Sequence, residues 1–183
     1  MAHAGALHDR KRARALVRLQ RRAFDETWMN GYVVDVSTRL FAFEIVTPGV
    51  RFDGMACMRN ADVSLLENEP HAAFFERALA ARGCIRASAA PVDLQSMRGV
   101  IETAGRAFPV IALHVPAEEN KYDCFIGKVV AVNEDAVDFH HITPDGEWED
   151  GLLEIPFLEI VRVDFGGDYE EALLLAAGRP TSV

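Results

Sequence analysis

The sequence predicts a mainly β protein with flanking helices, built as two tandem copies of one small antiparallel barrel. Two stretches of the chain resemble each other at an offset of 96 residues, as between Gly31 and Gly127. Apolar and polar residues alternate within both stretches, which is typical of half-buried strands. Segments with helical patterning stand before and after each stretch. Together these observations predict an α+β chain made of two similar domains.

The repeated stretches are residues 31–48, GYVVDVSTRLFAFEIVTP, and residues 127–144, GKVVAVNEDAVDFHHITP. They share the leading glycine, three valines, a central phenylalanine and the closing Thr-Pro pair. Beyond these stretches, Phe52 matches Trp148 at the same offset, and both residues are aromatic. A period near 96 residues is too long for a solenoid repeat and suits a small domain, so we interpret the pattern as a tandem duplication.

Each copy is expected to contain about five short strands. The first hairpin is predicted to turn at Thr38-Arg39 in one copy and at Glu134-Asp135 in the other. Further strands are predicted at residues 54–58, 62–66, 108–115, 152–155 and 159–165.

Helices are predicted at both ends of each copy, over residues 8–24, 70–79, 93–107 and 168–176. Asp93 or Ser96 is expected to cap the third helix, and Asp168 the fourth, with Glu171 at the capping-box position. The small-residue segment 83–91, GCIRASAAP, is the predicted linker between domains 1–82 and 92–183.

The first hairpin, with Gly-x-Val-x-x-Val followed by Val-x-Phe, resembles the first motif of Sm-like proteins, which form small SH3-like barrels. In this motif glycine stands where the strand bends most, because it lacks a Cβ. The order of elements also resembles an uncharacterised group of bacterial proteins with two Sm-like barrels. The strongest shared stretches are FIGKVVAV at 125–132, WEDG, and I-x-R-V-x-F-G-x-x-Y at 160–169.

The resemblance implies two tandem Sm-like/SH3-like barrels and, for the Sm proteins themselves, RNA binding. The second Sm motif normally supplies an RNA-binding Arg-Gly pair. This chain has Asn60-Ala61-Asp62 in the first copy and residues 156–159, PFLE, in the second. The departure weakens the RNA hypothesis where it would be strongest.

Charge is distributed unevenly along the chain. Residues 1–22 hold seven basic residues and one acid, a charge of +6, whereas the whole chain carries −9 and the rest therefore −15. The residues predicted to contact nucleic acid or a partner from a basic N-terminal helix are Arg10, Lys11, Arg14, Arg18, Arg21 and Arg22. The alternatives are docking of this helix on the acidic body of the same chain, and contact with an anionic membrane surface, which its small apolar face disfavours.

Several other residues are weak candidates for chemistry. His140 and His141 could serve a metal or catalytic role, but adjacent strand residues point to opposite faces, and His141 is expected to face the core with His140 exposed. The acids Asp145, Glu147, Glu149 and Asp150 lack calcium-loop spacing. Cys124 is expected to face about Asp145, away from these histidines. Gly166-Gly167-Asp168 before a helix could hold an anion.

The sequence therefore predicts a non-catalytic binding or scaffold protein that acts through protein–protein contacts or self-association. The alternative is an Sm-like RNA-binding protein; an enzyme with an acidic cleft between the barrels ranks third. We expect no cofactor and no metal. No apolar run is long enough for a membrane span, the first residues lack the apolar core of a secretory signal, and three dispersed cysteines fit neither disulfides nor a zinc site. A cytoplasmic protein with reduced thiols is expected.

Overall fold

The computed structural model of the protein describes residues 3–117 and 122–179, so the outermost ends of both predicted domains lie outside the described residues. In these ranges the helices are α1 (Ala4–Ala13), α2 (Ala72–Ala81), α3 (Met97–Ala107) and α4 (Asp168–Ala177). The strands are β1 (Leu16–Arg21), β2 (Asp25–Val36), β3 (Leu40–Val46), β4 (Phe52–Arg59), β5 (Leu65–Asn68), β6 (Ile111–Pro116), β7 (Tyr122–Val132), β8 (Ala136–Ile142), β9 (Leu153–Pro156) and β10 (Arg162–Phe165). The predicted class, mainly β with flanking helices, is confirmed.

All ten strands form one antiparallel sheet in the order β5-β1-β2-β3-β4-β10-β6-β7-β8-β9. The order divides into two halves of five strands with the same connectivity, which we call half one (β1–β5) and half two (β6–β10). The halves meet where β10 pairs with β4, with Arg162 opposite Met58 and Phe165 opposite Met55. The sheet is therefore continuous across the predicted linker 83–91, which itself contains no helix or strand.

Both predicted hairpin turns are confirmed. The amide of Ser37 donates to the carbonyl of Leu40 at 2.7 Å, and the amide of Asn133 donates to that of Ala136 at 2.9 Å. Thr38-Arg39 and Glu134-Asp135 are thus the central residues of two equivalent turns.

The paired glycines stand where two strands approach closely. A Cβ on Gly31 would overlap the carbonyl oxygen of Glu44, and a Cβ on Gly127 would overlap that of His140. The β2–β3 and β7–β8 registers also shift at equivalent points, after Val33 and after Val129. Glycine is needed at both sites because no side chain fits between these backbones.

The helix predicted over residues 8–24 is confirmed for residues 8–13 and wrong for the rest. Helix α1 ends at Ala13, because Arg14 adopts a left-handed conformation with φ of 51°, and β1 follows. Residues 16–21, LVRLQR, are buried or half-buried on both faces and pair with β2 on one side and β5 on the other. A strand buried on both faces has no simple alternation, and its spacing imitates a helical stripe.

Other boundaries shift by a few residues. The strand predicted at 62–66 begins later, at Leu65 in β5, and a 3-10 turn, Asn60–Asp62, precedes it. Ser96 caps α3 by accepting a hydrogen bond from the amide of Gly99 at 3.0 Å. Helix α4 is preceded by Gly167 rather than capped by Asp168, whose own amide donates to Asp53.

Apolar side chains fill both sides of the sheet. One cluster lies inside half one around Phe41, Phe43 and Met58. The largest cluster contains Cys57 of half one together with Val163 of half two and the buried side chains of α3, so the halves share a core. Helices α2 and α4 cover the outer faces through separate clusters.

Candidate functional site

The basic residues predicted to contact a partner do not share a helix face. Arg10 and Lys11 lie in the last turn of α1, Arg14 follows it, Arg18 and Arg21 are on β1, and Arg22 follows β1. Two of them form ion pairs within the chain, Lys11 with Asp35 at 2.6 Å and Arg18 with Glu67 at 2.7 Å. These contacts fit the alternative in which the basic segment docks on its own acidic body.

Arg21 is almost fully buried, at 2% exposed, and donates to the carbonyl of Val161 at 3.3 Å. Burial and the neighbouring Arg162 lower its pKa. A side chain enclosed in this way cannot contact a partner without local unfolding. It instead connects β1 to the chain segment before β10.

The histidine pair is placed the other way round from the prediction. His140 is buried, and His141 is only half-buried. The His140 ring stacks on Trp148 with centroids 4.7 Å apart, and its Nε2 lies 2.9 Å from the carbonyl oxygen of Glu149. His141 packs edge-on against Phe125, and burial lowers its pKa. The prediction was wrong because the Trp148 turn covers the outer face of β8.

The acidic turn remains solvated. Asp145, Glu147, Glu149 and Asp150 are all exposed. Within residues 3–117 and 122–179, no group of three or more His, Cys, Asp and Glu side chains could hold a metal ion.

The glycine turn before α4 is already occupied by acids of the chain itself. The Asp53 carboxylate accepts a hydrogen bond from the Asp168 amide at 2.8 Å. The first turn of α4 also carries Asp168, Glu170 and Glu171. These negative charges oppose the binding of an external anion at this helix N-terminus.

Cys124 does not face Asp145, because the outer part of β7 extends past β8 and pairs with β6. Cys124 lies opposite His114, with its Sγ 3.8 Å from Nε2 of that ring. The same Nε2 lies 3.1 Å from Oδ2 of Asp164. The sequence reasoning missed this cluster, since its members come from three strands and no local motif marks them.

The cluster around Asp164 is an ion pair with a histidine beside it. Arg162 binds Asp164 with two N–O distances of 2.6 Å. Burial alone would raise the pKa of Asp164, but Arg162 and His114 hold it well below its usual range. The geometry does not activate Cys124, because one ring nitrogen faces both the thiol and the carboxylate. Although Cys124 is exposed at the surface, partial desolvation of its thiol and the charge of Asp164 raise the pKa of that thiol.

A cavity of about 1180 Å³ lies where the turns of half one meet the starts of α1 and α3. We call it the cationic cavity. Its lining contains His3, His8, Arg39, Arg59 and Arg98, and no Asp or Glu among the described residues. In a chain with a net charge of −9, such a lining is a local reversal of sign. Its arginines are separated by at least 20 residues in sequence, so no local pattern could reveal it.

Polar contacts fix the walls of the cationic cavity. Arg59 Nη2 donates to the carbonyls of Leu158 and Ile160 at 2.7 and 2.8 Å. Asn60 Nδ2 donates to the carbonyls of Ser37 and Thr38, while its buried Oδ1 has no hydrogen-bond partner in the described part of the chain. Arg39 and Arg98 are exposed and available to an anion.

No family model matches this chain, no curated protein matches it, and no solved structure matches it. None of the helices in the described ranges is long and apolar enough to cross a membrane. Function therefore has to be inferred from the contacts within the chain.

Proposed function

We propose that the chain is an internally duplicated pair of small Sm-like/SH3-like barrels that acts as a non-catalytic binding or scaffold protein in the bacterial cytoplasm. It works through protein–protein contacts, beginning with self-association through the edges of its sheet. The observation that carries the proposal is the strand pairing between β4 and β10.

The internal symmetry of backbone contacts supports duplication. The Thr47 amide donates to the carbonyl of Arg51, and the Thr143 amide donates to that of Glu147. The carbonyl of Thr47 accepts from Val50, and the carbonyl of Thr143 accepts from Gly146. Both sets of bonds recur at the offset of 96 residues found in the sequence, in addition to the equivalent glycines and register shifts.

The joint between the halves leaves two complementary edges open. β4 and β9 are the fourth strands of their halves, and β5 and β10 are the fifth. The fourth strand of half one pairs with the fifth strand of half two inside the chain. At the ends of the sheet, the outer sides of β5, the fifth strand of half one, and of β9, the fourth strand of half two, are unpaired among the described residues. An unpaired edge is a template for another strand.

A second copy of the chain can repeat the joint. Transferring the β4–β10 register to the open edges places Leu65 opposite Ile155 and Glu67 opposite Leu153 of another molecule. Leu152 and Leu153 are 41% and 37% exposed, as expected of apolar residues that a partner would cover. A contact of this kind is head-to-tail and builds rings or filaments.

Charge changes at Leu153 test the register as well as the association. Leu153→Glu places a second acid opposite Glu67 and should weaken self-association by about 1 kcal/mol per joint, whereas Leu153→Lys provides an opposite charge and should not weaken it. Leu175→Glu, on the exposed face of α4, is the matched control. Sedimentation equilibrium of the four proteins gives the result. A monomeric wild type, or equal effects of Leu153→Glu and Leu175→Glu, contradicts the proposal.

RNA binding is the second candidate, favoured by the cationic cavity. The lining of the cavity contains arginines, which can bind a phosphate group of RNA. It also contains the apolar side chains of Met97 and Phe157, against which a base can pack. The double variant Arg39→Glu/Arg98→Glu should abolish binding of a short single-stranded RNA, and wild-type affinity should fall steeply with salt. Arg77→Glu, on the exposed face of α2, is the control. RNA binding that is unaffected by the double variant excludes the cavity as its site.

A further inference from the structure

A smaller cavity of about 200 Å³ lies between the two halves, separate from the cationic cavity. Phe52 and Met55 of half one and Phe108 and Phe165 of half two contribute its apolar walls. The Phe108 and Phe165 rings lie with their centroids 4.9 Å apart. Glu44 is the one charged side chain among the described residues of the lining. We call this site the Glu44 recess.

Glu44 is buried in the middle of the sheet, with only 6% of its surface exposed. Its Oε1 accepts a hydrogen bond from the Ala87 amide at 2.8 Å, whereas its buried Oε2 has no hydrogen-bond partner within the described ranges. Burial raises the pKa of this carboxyl group, and the Ala87 amide and Arg86 partly oppose that rise. A buried carboxylate with a free oxygen is unfavourable unless a donor or a cation meets it.

Arg86 is the cation whose charge acts on the Glu44 carboxyl group, but other contacts hold its side chain. Its guanidinium group lies over the Tyr32 ring at 3.5 Å from the centroid, and Nη1 donates to the carbonyl of Arg14 at 3.1 Å. No hydrogen bond joins Arg86 to Glu44 in the described part of the chain.

The corresponding position in half two is differently arranged. His140 matches Glu44 at the offset of 96 residues, and Trp148 matches Phe52. There the histidine is hydrogen-bonded to the carbonyl of Glu149 and covered by the Trp148 ring. The acid in half one therefore stands where half two has a histidine that is hydrogen-bonded and covered by a tryptophan ring.

We propose that the Glu44 recess binds a small primary amine with a ring-sized apolar body. The ammonium group would pair with the Glu44 carboxylate, and the body would contact Phe52, Phe108 and Phe165. Aromatic faces and a carboxylate both attract an organic cation, and the volume suits one ring with a short arm rather than a larger ligand. This site is independent of the sheet edges and of the cationic cavity, so it does not depend on the proposed function.

Benzylamine is the probe, and amide chemical shifts of the isotope-labelled full chain are the measurement. Benzylamine should saturably shift the amides of Ala87, which bonds to Glu44, and of Gly54 and Gly166, which line the recess. Benzyl alcohol has nearly the same shape without the charge and should bind roughly tenfold more weakly or worse, because a hydrogen bond to a charged group is the stronger one. Glu44→Gln should weaken benzylamine binding by a similar factor.

Glu134→Gln removes one exposed acid from the β7–β8 turn, away from the recess, and is the matched control, so it should leave benzylamine binding unchanged. Equal binding of benzylamine and benzyl alcohol to the wild type would overturn the proposal, whether or not the Glu44 variant folds. Absence of a saturable shift at these three amides, or full benzylamine binding by a folded Glu44→Gln protein, would overturn it as well.

Discussion

The two halves of the sheet share a backbone plan but differ in the charged residues on their fifth strands. In half two, β10 is enclosed between β4 and β6, and Asp164 is buried in an ion pair with Arg162. In half one, β5 is an open edge, and the corresponding Glu67 pairs with Arg18 while half exposed. The comparison shows that the contribution of an acid on the fifth strand to stability depends on the residues and strands around it. Its equivalent position in the two halves does not decide that contribution.

The largest expected difference follows from removing each acid. Asp164→Asn removes the counter-charge of the buried Arg162 and should lower the free energy of unfolding by about 3 to 5 kcal/mol. Glu67→Gln breaks an exposed pair and should cost about 0.5 kcal/mol or less. Chemical denaturation of both variants measures the difference, and equal losses would contradict the contrast between the halves.

Asp164 also makes the stability of the fold depend on pH. The pKa of Asp164 is lower in the folded chain than the value of about 3.9 expected when unfolded. Its ionised form therefore stabilises the fold above that unfolded value, and the contribution is lost as the pH falls from there through the folded pKa. Denaturation across this acidic range should show a steeper loss for the wild type than for Asp164→Asn.

A smaller effect tests the feature that the halves share. Gly127→Ala would force a methyl group onto the carbonyl of His140 and should destabilise the fold by about 3 kcal/mol. Gly31→Ala should have a similar cost, because its Cβ would meet the equivalent carbonyl of Glu44. Gly49→Ala, whose Cβ would have its nearest neighbour at 3.6 Å, is the control and should change stability by about 0.5 kcal/mol or less. Thermal and chemical unfolding would show whether both repeat glycines are needed.

The smallest effect concerns the aromatic pair Phe52 and Trp148. Trp148 Nε1 donates to the carbonyl of Gly178 at 3.1 Å, so Trp148→Phe should cost about 1 kcal/mol for that hydrogen bond. Trp28→Phe serves as the control, since Trp28 is exposed and its ring stacking with Arg18 is retained by phenylalanine. Chemical denaturation measures both variants. If Trp148→Phe lowers the free energy of unfolding no more than Trp28→Phe does, the Trp148 turn does not depend on this hydrogen bond.

The strand pattern and the repeat were predictable because they rest on local alternation and on direct residue matches. The turn at Thr38-Arg39 and the close approach at Gly31 are examples. The strand Leu16–Arg21 was missed because both of its faces are buried, which removes the alternation that marks a strand.

Long-range contacts could not be read from the sequence. The pairing of β4 with β10 joins residues about 100 positions apart. Which edge strand of each half pairs with the other half depends on the surfaces that meet after folding. The cationic cavity and the Glu44 recess likewise combine loops and strands from both halves. Reversed exposure of His140 and His141 follows from cover by the Trp148 turn, which alternation alone does not contain.

An intermolecular disulfide is the most direct measurement of the proposed edge pairing. Proteins carrying Glu67→Cys and Leu153→Cys, with Cys84 and Cys124 replaced by serine in both, would be mixed and oxidised mildly. Because directly opposite strand residues have Cβ atoms about 5 Å apart, a bond between these two cysteines should form readily. Rapid formation of the mixed disulfide, and little with Leu175→Cys in place of Leu153→Cys, is the predicted result. Equal yields from the two pairs, or no cross-link at all, would contradict the edge-to-edge scaffold.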